Sequence, residues 1–353
     1  MTIKVVLGAQ WGKLTDILAP EAQLCPSFFK ELKTLDEFDL HAAVDGLEEV
    51  ELKANCDVNG PSYSDQRSGI RIADIFDQEL FESKLRRLAY GYKARYGDLL
   101  QYDVEEEIER FKGYRTELAK YAIDGLSFMH SAQTSGMNII IEGANAVMLD
   151  LSMGSYPYVT SSNTTIAGII AGLNLNPKNI TETIGVVKAY TTRVGAGAFK
   201  TEDLGQLTIV VTELVKRSKS RAENGERQQV EDVAVADLVV VKHGHMVNYY
   251  TALNLTKLDV LDSFETIKIA IAYKDKNTGQ ELESYPADHN VLDTAEVVYH
   301  EMPGWKKPTT SARTFYDLPK AARDYVQYIE DFVGVKIKWI GTGPDREDMI
   351  TRA

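Results

Sequence analysis

The sequence predicts an α/β protein with a large, mostly parallel central sheet flanked by helices. Two observations carry this. Short β-branched runs recur along the chain, and helical stretches separate many of them. Strands joined through helices need crossovers, and crossovers give parallel neighbours. The bulk numbers agree: 353 residues, 44% hydrophobic and 26% charged, suffice for one large α/β domain or two modest ones.

Taken in order, Lys4 to Leu7 within IKVVL reads as a buried strand, and Leu14 to Leu18 as the first turns of a helix. GAQWG between them opens like a phosphate loop. Such loops carry several glycines, because backbone N–H groups must turn inward around an anion. Here the strand reaches the helix almost at once. Asp77 to Gly136 follows as two or three charged amphipathic helices, with turn signals at Gly91, Gly97 and Gly113. NIIIEG (138–143) is a strand ending at Glu142, with a tight passage from Gly143. Further strands are expected at IGVVKAY (184–190), DLVVVK (237–242), IKIAIAYK (267–274), AEVVYHEM (295–302) and VKIKWIG (335–341). KDKNTGQELESYP (274–286) reads as a hairpin or excursion through an Asn-Thr-Gly turn. Leu318 to Phe332 reads as a helix. Lys216 to Asp232 is nearly all polar, either a solvated helix or loop or a loop that closes over a ligand.

The formal net charge of −13 argues against a nucleic-acid surface, which needs a basic stripe. A phosphorylated small molecule stays possible, since one local cluster of N–H groups and Arg or Lys holds it. No apolar run approaches about 18 residues, so no membrane span is expected. MTIKVVLG lacks a signal-peptide pattern. Two cysteines, Cys25 and Cys56, are too few for a disulfide framework and lack metal-ligand spacing. A cytoplasmic location is the expectation.

IEGANAVMLDLSMGSYPYVTSSNTTIAGIIAGL (141–173) passes from a strand through Asn145 and the run 160–165 into an apolar helix from Ile166. Small polar donors and acceptors at a strand end build ligand crevices in α/β sheets. The same residues also suit an N-cap cluster for that helix. Composition alone leaves both readings open.

EGANAVMLD…GSYPYVTSSNTT closely resembles adenylosuccinate synthetase of the eukaryotic, fungal type. So do KAYTTRVGAGAF (188–199), NYYTALNLTKLDVLD (248–262), PSFFKEL (26–32), RSGIR (67–71) and YIEDFVGVKIKWIGTGPDRE (328–347). These blocks keep family order along the whole chain. The resemblance implies one synthetase-like domain over 1–353, with a helical excursion at about 75–137 and a P-loop-NTPase-like, GTP-dependent ligase fold. It implies a homodimer, with GTP and Mg²⁺ joining IMP to L-aspartate: GTP phosphorylates the purine O6, and the aspartate amine displaces that phosphate. By the same resemblance Lys257, Leu258 and Asp259 would hold guanine, and Gly341, Thr342 and Gly343 would line it. The Gly12 amide would attract an anion weakly. Asn145 and Thr160 would contact IMP, and Arg193 would lie near its phosphate pocket. Arg67 corresponds to an arginine that reaches IMP in the neighbouring subunit.

The departures are as specific. The family's first loop reads G-x-Q-W-G-D-E-G-K-G-K, whereas this chain reads GAQWGK. The lost Asp is the family's base on purine N1 and touches Mg²⁺; the lost glycines and Lys are the phosphate cradle. After Ala22 the family's N-N-A-G-H-T, which carries the general-acid His, is absent, and His41 lies in a different context. CDVNGPSY keeps only Gly60 and Pro61 of the loop that grips the IMP phosphate. The polar segment ending VEDVAVAD stands where the family has its aspartate-binding arginine loop. Ser152 and Lys200 replace a family Asp and Pro. The expectation is a synthetase with no catalytic residue and no metal ligand retained. The other readings are a non-catalytic paralogue acting through its dimer interface, or a truncated product of a misread gene.

Overall fold

The computed structural model describes residues 3–8, 70, 72–119, 122, 124–160, 162–193, 200–201, 232–345 and 347–352. Two compact units are present. One comprises Met1, Ile17–Met137 and Ile169–Pro177; the other comprises Thr2–Asp16, Asn138–Gly168 and Lys178–Ala353.

The described part of the first unit is mainly helical: α1 (Ile72–Ile75), α2 (Gln78–Tyr96), α3 (Val104–Leu118) and α4 (Gly125–Thr134). Asp77 starts α2 by accepting from the Leu80 N–H at 3.0 Å. Phe81 and Leu85 on α2 pack with Ile108, Phe111 and Leu118 on α3, and with Ile70 and Ile75. The Phe81 and Phe111 rings lie 5.0 Å apart. Gly97, at φ +57°, ends α2. The turns expected at Gly91 and Gly113 are absent, for both residues lie inside helices. An exposed helical glycine costs only about 1 kcal/mol, which the packed apolar face outweighs.

The second unit is built on a six-stranded sheet in the order β11-β10-β7-β3-β1-β2. Its strands are β1 (Ile3–Gly8), β2 (Ile139–Ala146), β3 (Ile180–Lys188), β7 (Ala252–Thr256), β10 (Ile337–Gly341) and β11 (Met349–Thr351). All neighbours are parallel except β10 and β11. Ile3, Val5, Leu7, Leu253, Leu255, Ile337 and Ile340 are fully buried; each such side chain contributes about 1.5–3 kcal/mol. A second sheet runs β6 (Ala236–Asp237), β8 (Thr266–Lys274), β9 (Glu296–Pro303). A two-stranded ribbon pairs β4 (Thr191–Arg193) with β5 (Asp232–Ala234). The helices are α5 (Ile166–Gly172), which begins in this unit, α6 (Leu238–Asn248), α7 (His289–Thr294) and α8 (Lys320–Val333). The mostly parallel sheet and flanking helices are those the sequence predicts.

Some expectations are corrected. DLVVVK is not a strand. Asp237 accepts from the N–H groups of Val239 and Val240 at 3.1 and 3.2 Å and starts α6. The buried positions Leu238, Val241, Gly244 and Asn248 then recur at helical spacing and override the valines' strand preference. β2 does not end at Glu142: a register shift in β1 lets Gly8 pair with Ala146. β4, β5, β6, β7 and β11 were not anticipated; most are two or three residues long, and Asn254 interrupts β7. The hairpin at 274–286 is present. Asp275 accepts from the N–H groups of Asn277 and Thr278 at 2.7 and 2.9 Å, and Lys274 bridges Glu281. No described helix is long and apolar enough to cross a membrane. The expected helix at Leu14–Leu18, both cysteines and Lys216–Glu231 lie outside the described residues.

Candidate functional site

In open parallel sheets, ligands bind beyond the carboxyl ends of the strands, at the point where neighbouring strands are left in opposite directions. Within this sheet the chain passes from β3 to β7 on one side, and leaves the strand adjacent to β3 toward β2 on the other; that strand is β1. Its carboxyl end is Gly8, beside Ala146 of β2 and Val186 of β3. A phosphate cradle belongs at that point, and the sequence offers GAQWGK there. Gly12 itself lies outside the described residues, as does Arg67.

Further along the same edge, β7 and β10 run parallel, with Leu255 opposite Ile340. This pairing brings two distant stretches together. Lys257 follows β7 in the left-handed region at φ +61°, and the short turn Leu258–Leu261 begins there. A non-glycine residue in that region is strained, and such strain gathers where a backbone must aim a side chain. Leu258 is fully buried and Asp259 is 4% exposed. Gly341 ends β10 so close to β7 that a Cβ on it would lie 3.4 Å from Thr256 Cα and 3.7 Å from the Lys257 nitrogen. Thr342 is fully buried, its N–H and hydroxyl both donating to the Asp348 carbonyl, at 2.8 and 3.1 Å. Lys257, Leu258, Asp259, Gly341, Thr342 and Gly343 are thus neighbours at one end of the sheet.

A second group sits at the ends of β2 and β3. Asn145, 2% exposed, donates to the Ser162 hydroxyl at 3.4 Å, and Ser162 lies 3.0 Å from the Thr160 hydroxyl. Arg193 on β4 is 2% exposed, its guanidinium carbon 5.7 Å from the Tyr158 ring centre. Asn145 and Thr160 are therefore linked through Ser162, within the run the sequence singles out, while Arg193 lies against Tyr158, two positions before Thr160 and not foreseen from sequence. The passage between them is wound tightly about Asp150, which accepts from the N–H groups of Ser152, Met153 and Thr164 at 2.9, 2.8 and 2.6 Å. A Cβ on Gly154 would collide with the Met148 and Asp150 carbonyls, so only glycine fits the passage. The first amide of α5, on Ile166, donates to Asn248 at 2.9 Å rather than to the Ser/Thr run.

Near Arg193, an unforeseen polar knot gathers at Asp237, the last residue of β6. Asp237 is fully buried; its amide donates to the Thr191 hydroxyl at 3.1 Å, and Tyr273 donates to its carboxylate at 2.5 Å. Burial pushes the Asp237 carboxyl up to about 6, against the pull of those donors. Burial first, then the nearby Asp237 charge, pushes the Tyr273 hydroxyl far above its ordinary range. Of the two smaller departures from the family pattern, Ser152 gives its amide to Asp150, and Lys200 donates to the Asp293 carbonyl at 2.6 Å.

Comparison with known proteins gives consistent results. A family model described as adenylosuccinate synthetase matches residues 35–350. An adenylosuccinate synthetase of Fusarium vanettenii is 52% identical, with all of both chains covered. One of Neurospora crassa is 50% identical, over 99% of this chain and 98% of its own. Among solved structures, fully ligated adenylosuccinate synthetase from Plasmodium falciparum matches with TM-score 0.82 at 27% identity, covering both chains completely. The Fusarium alignment runs over 424 positions while covering a chain of 353 residues, so at least 71 of its positions have no residue here.

Proposed function

Because the chain belongs to the adenylosuccinate synthetase family of carbon–nitrogen ligases, we propose that it keeps this ligase's base-recognition elements without its proton-transfer and triphosphate-holding groups. The observation that carries the reading is the convergence of Lys257–Asp259 and Gly341–Gly343 at the ends of β7 and β10. A carboxylate accepts from both the N1–H and N2–H₂ of guanine; adenine offers an acceptor at N1 and leaves it unpaired. Asp259 takes that role, with the Gly341–Gly343 backbone on the other side. Asn145 and Thr160 take the hypoxanthine nucleotide, with Arg193 toward its phosphate. Arg67 reaches the same pocket from a second copy in a cytoplasmic homodimer.

The reaction of the family places a phosphate from GTP on the purine O6, and the amine of L-aspartate then expels it. In this sequence the motif residues that supply the base at N1 and the acid at the transferring phosphate have no counterpart. The arginine loop for aspartate is replaced by the segment that ends in β5. GTP fits at its base end. Mg²⁺ does not fit, since its family ligand Asp has no counterpart in the sequence. Among the described residues, no cluster of three or more His, Cys, Asp or Glu side chains suits a metal ion.

The test is base discrimination. GTP and ATP affinities are measured by ligand-observed NMR on the parent and on Asp259→Ala. The variant is expected to lose about tenfold or more in GTP affinity with ATP unchanged, the equivalent of one or two buried hydrogen bonds. Equal affinity of the parent for both nucleotides contradicts the proposal.

A further inference from the structure

We infer that Asp348 is a positioning residue, whose side chain holds the Gly341–Thr342–Gly343 loop against the end of β7 and so sets the preference for guanine over adenine. The inference rests on the reading that this loop and the Lys257–Asp259 turn receive the base. The loop reverses the chain from β10 into the antiparallel β11, with Gly341 opposite Met349. Asp348 stands at the start of the returning strand, its side chain 14% exposed. Both of its ends are engaged with the loop. Its carbonyl accepts from the Thr342 N–H and hydroxyl, at 2.8 and 3.1 Å. Its carboxylate accepts from the Asp345 N–H at 3.3 Å and lies where a Cβ on Gly343 would collide with it. On the outer side Arg313 clamps it, with Nη1 3.1 Å from Oδ1 and 3.2 Å from the Glu347 carbonyl. The far end of the strand is fixed separately: Ile350 is fully buried, and Arg352 donates to Glu330 at 2.9 Å and to the Ile337 carbonyl at 3.0 Å. Between these fixed points the Asp348 carboxylate is the side-chain group that meets the loop, at the Asp345 N–H and against Gly343. Gly343 is required for the same reason, as any side chain there would displace that carboxylate.

The variants are Asp348→Ala, Asp348→Asn and Arg313→Ala, each checked for a cooperative thermal melt and each titrated with GTP, ITP and ATP. Asn keeps an oxygen for the Asp345 N–H and nearly the same volume against Gly343. Asp348→Ala is expected to cut the GTP-over-ATP preference about tenfold, the worth of one misplaced hydrogen bond, while Asp348→Asn keeps most of it. Arg313 is exposed, so its truncation leaves the fold intact should Asp348→Ala melt, and it is expected to lower the preference in the same direction. A merely structural role for Asp348 lowers melting temperatures and leaves the ratio unchanged, and that result overturns the inference alone. A parent protein with no preference for GTP overturns the base-site reading and the inference with it. GTP and ITP losing equally in Asp348→Ala supports displacement of the whole loop; loss of GTP alone, with ITP held, places the effect on the Asp259 carboxylate and contradicts the positioning role.

Discussion

Purified protein supplied with IMP, L-aspartate, GTP and Mg²⁺ is expected to form adenylosuccinate at least about 10²-fold more slowly than an intact fungal relative. A positioned general base or acid contributes about 10²–10⁴-fold. Preorganised donors around a transferring phosphoryl group contribute about 10²–10³-fold each. The sequence lacks the stretches that supply all three, D-E-G-K-G after Gly12 and N-N-A-G-H-T after Ala22. These groups act on one transition state, so their losses do not add, and the largest single loss sets the floor. What survives is the strand end at Gly8 and the amide of Gly12, which lacks the Lys and Mg²⁺ that neutralise a triphosphate. The assay is a continuous measurement of adenylosuccinate absorbance, run beside the relative. A rate within about tenfold of the relative contradicts the account.

The second large effect concerns the buried knot at Asp237. Its carboxyl is raised from an ordinary value near 3.8 to about 6 in the folded protein, burial being the main cause. The folded chain therefore holds the proton more tightly than the unfolded one. Stability from this group is fully present below pH 4 and is lost as pH rises through 6, a difference of about 3 kcal/mol. The groups that face it are the Tyr273 hydroxyl and, through space, Tyr285, whose own hydroxyl is raised by burial and by the Asp237 charge and lowered by Arg193. Asp237→Asn removes the titration while keeping a good helix cap for Val239 and Val240. Urea unfolding at pH 4 and pH 7.5 is expected to show the parent losing about 2 kcal/mol relative to this variant as pH rises. A constant difference between the two proteins across that range contradicts the assignment.

Much of the fold was legible because its longer strands are rich in β-branched residues: Ile3–Leu7, Ile184–Lys188, Ile267–Lys274 and Val335–Gly341. α6 was not. Val239, Val240 and Val241 imitate a buried strand, and only the capping of their amides by Asp237, with burial continuing to Gly244 and Asn248, makes a helix. β7 carries no strand signal of its own, since Asn254 breaks the apolar run. In the candidate site, Lys257–Asp259 and Gly341–Gly343 were each visible as contiguous motifs. Their adjacency depends on β7 pairing with β10, which no local pattern encodes. The link from Arg193 to Tyr158, and the joining of Thr191, Asp237 and Tyr273, require the chain to return from distant positions and leave no periodic trace.

The central claim is that base recognition persists where the triphosphate cradle has been removed, and the most direct measurement is the affinity for guanosine beside that for GTP with Mg²⁺. In a protein with an intact cradle, the phosphates and the metal supply most of the binding energy. Here guanosine and GTP are expected to bind within about tenfold of each other, with no gain on adding Mg²⁺. GTP binding more than about a thousandfold tighter than guanosine, and dependent on Mg²⁺, would contradict the account at its root.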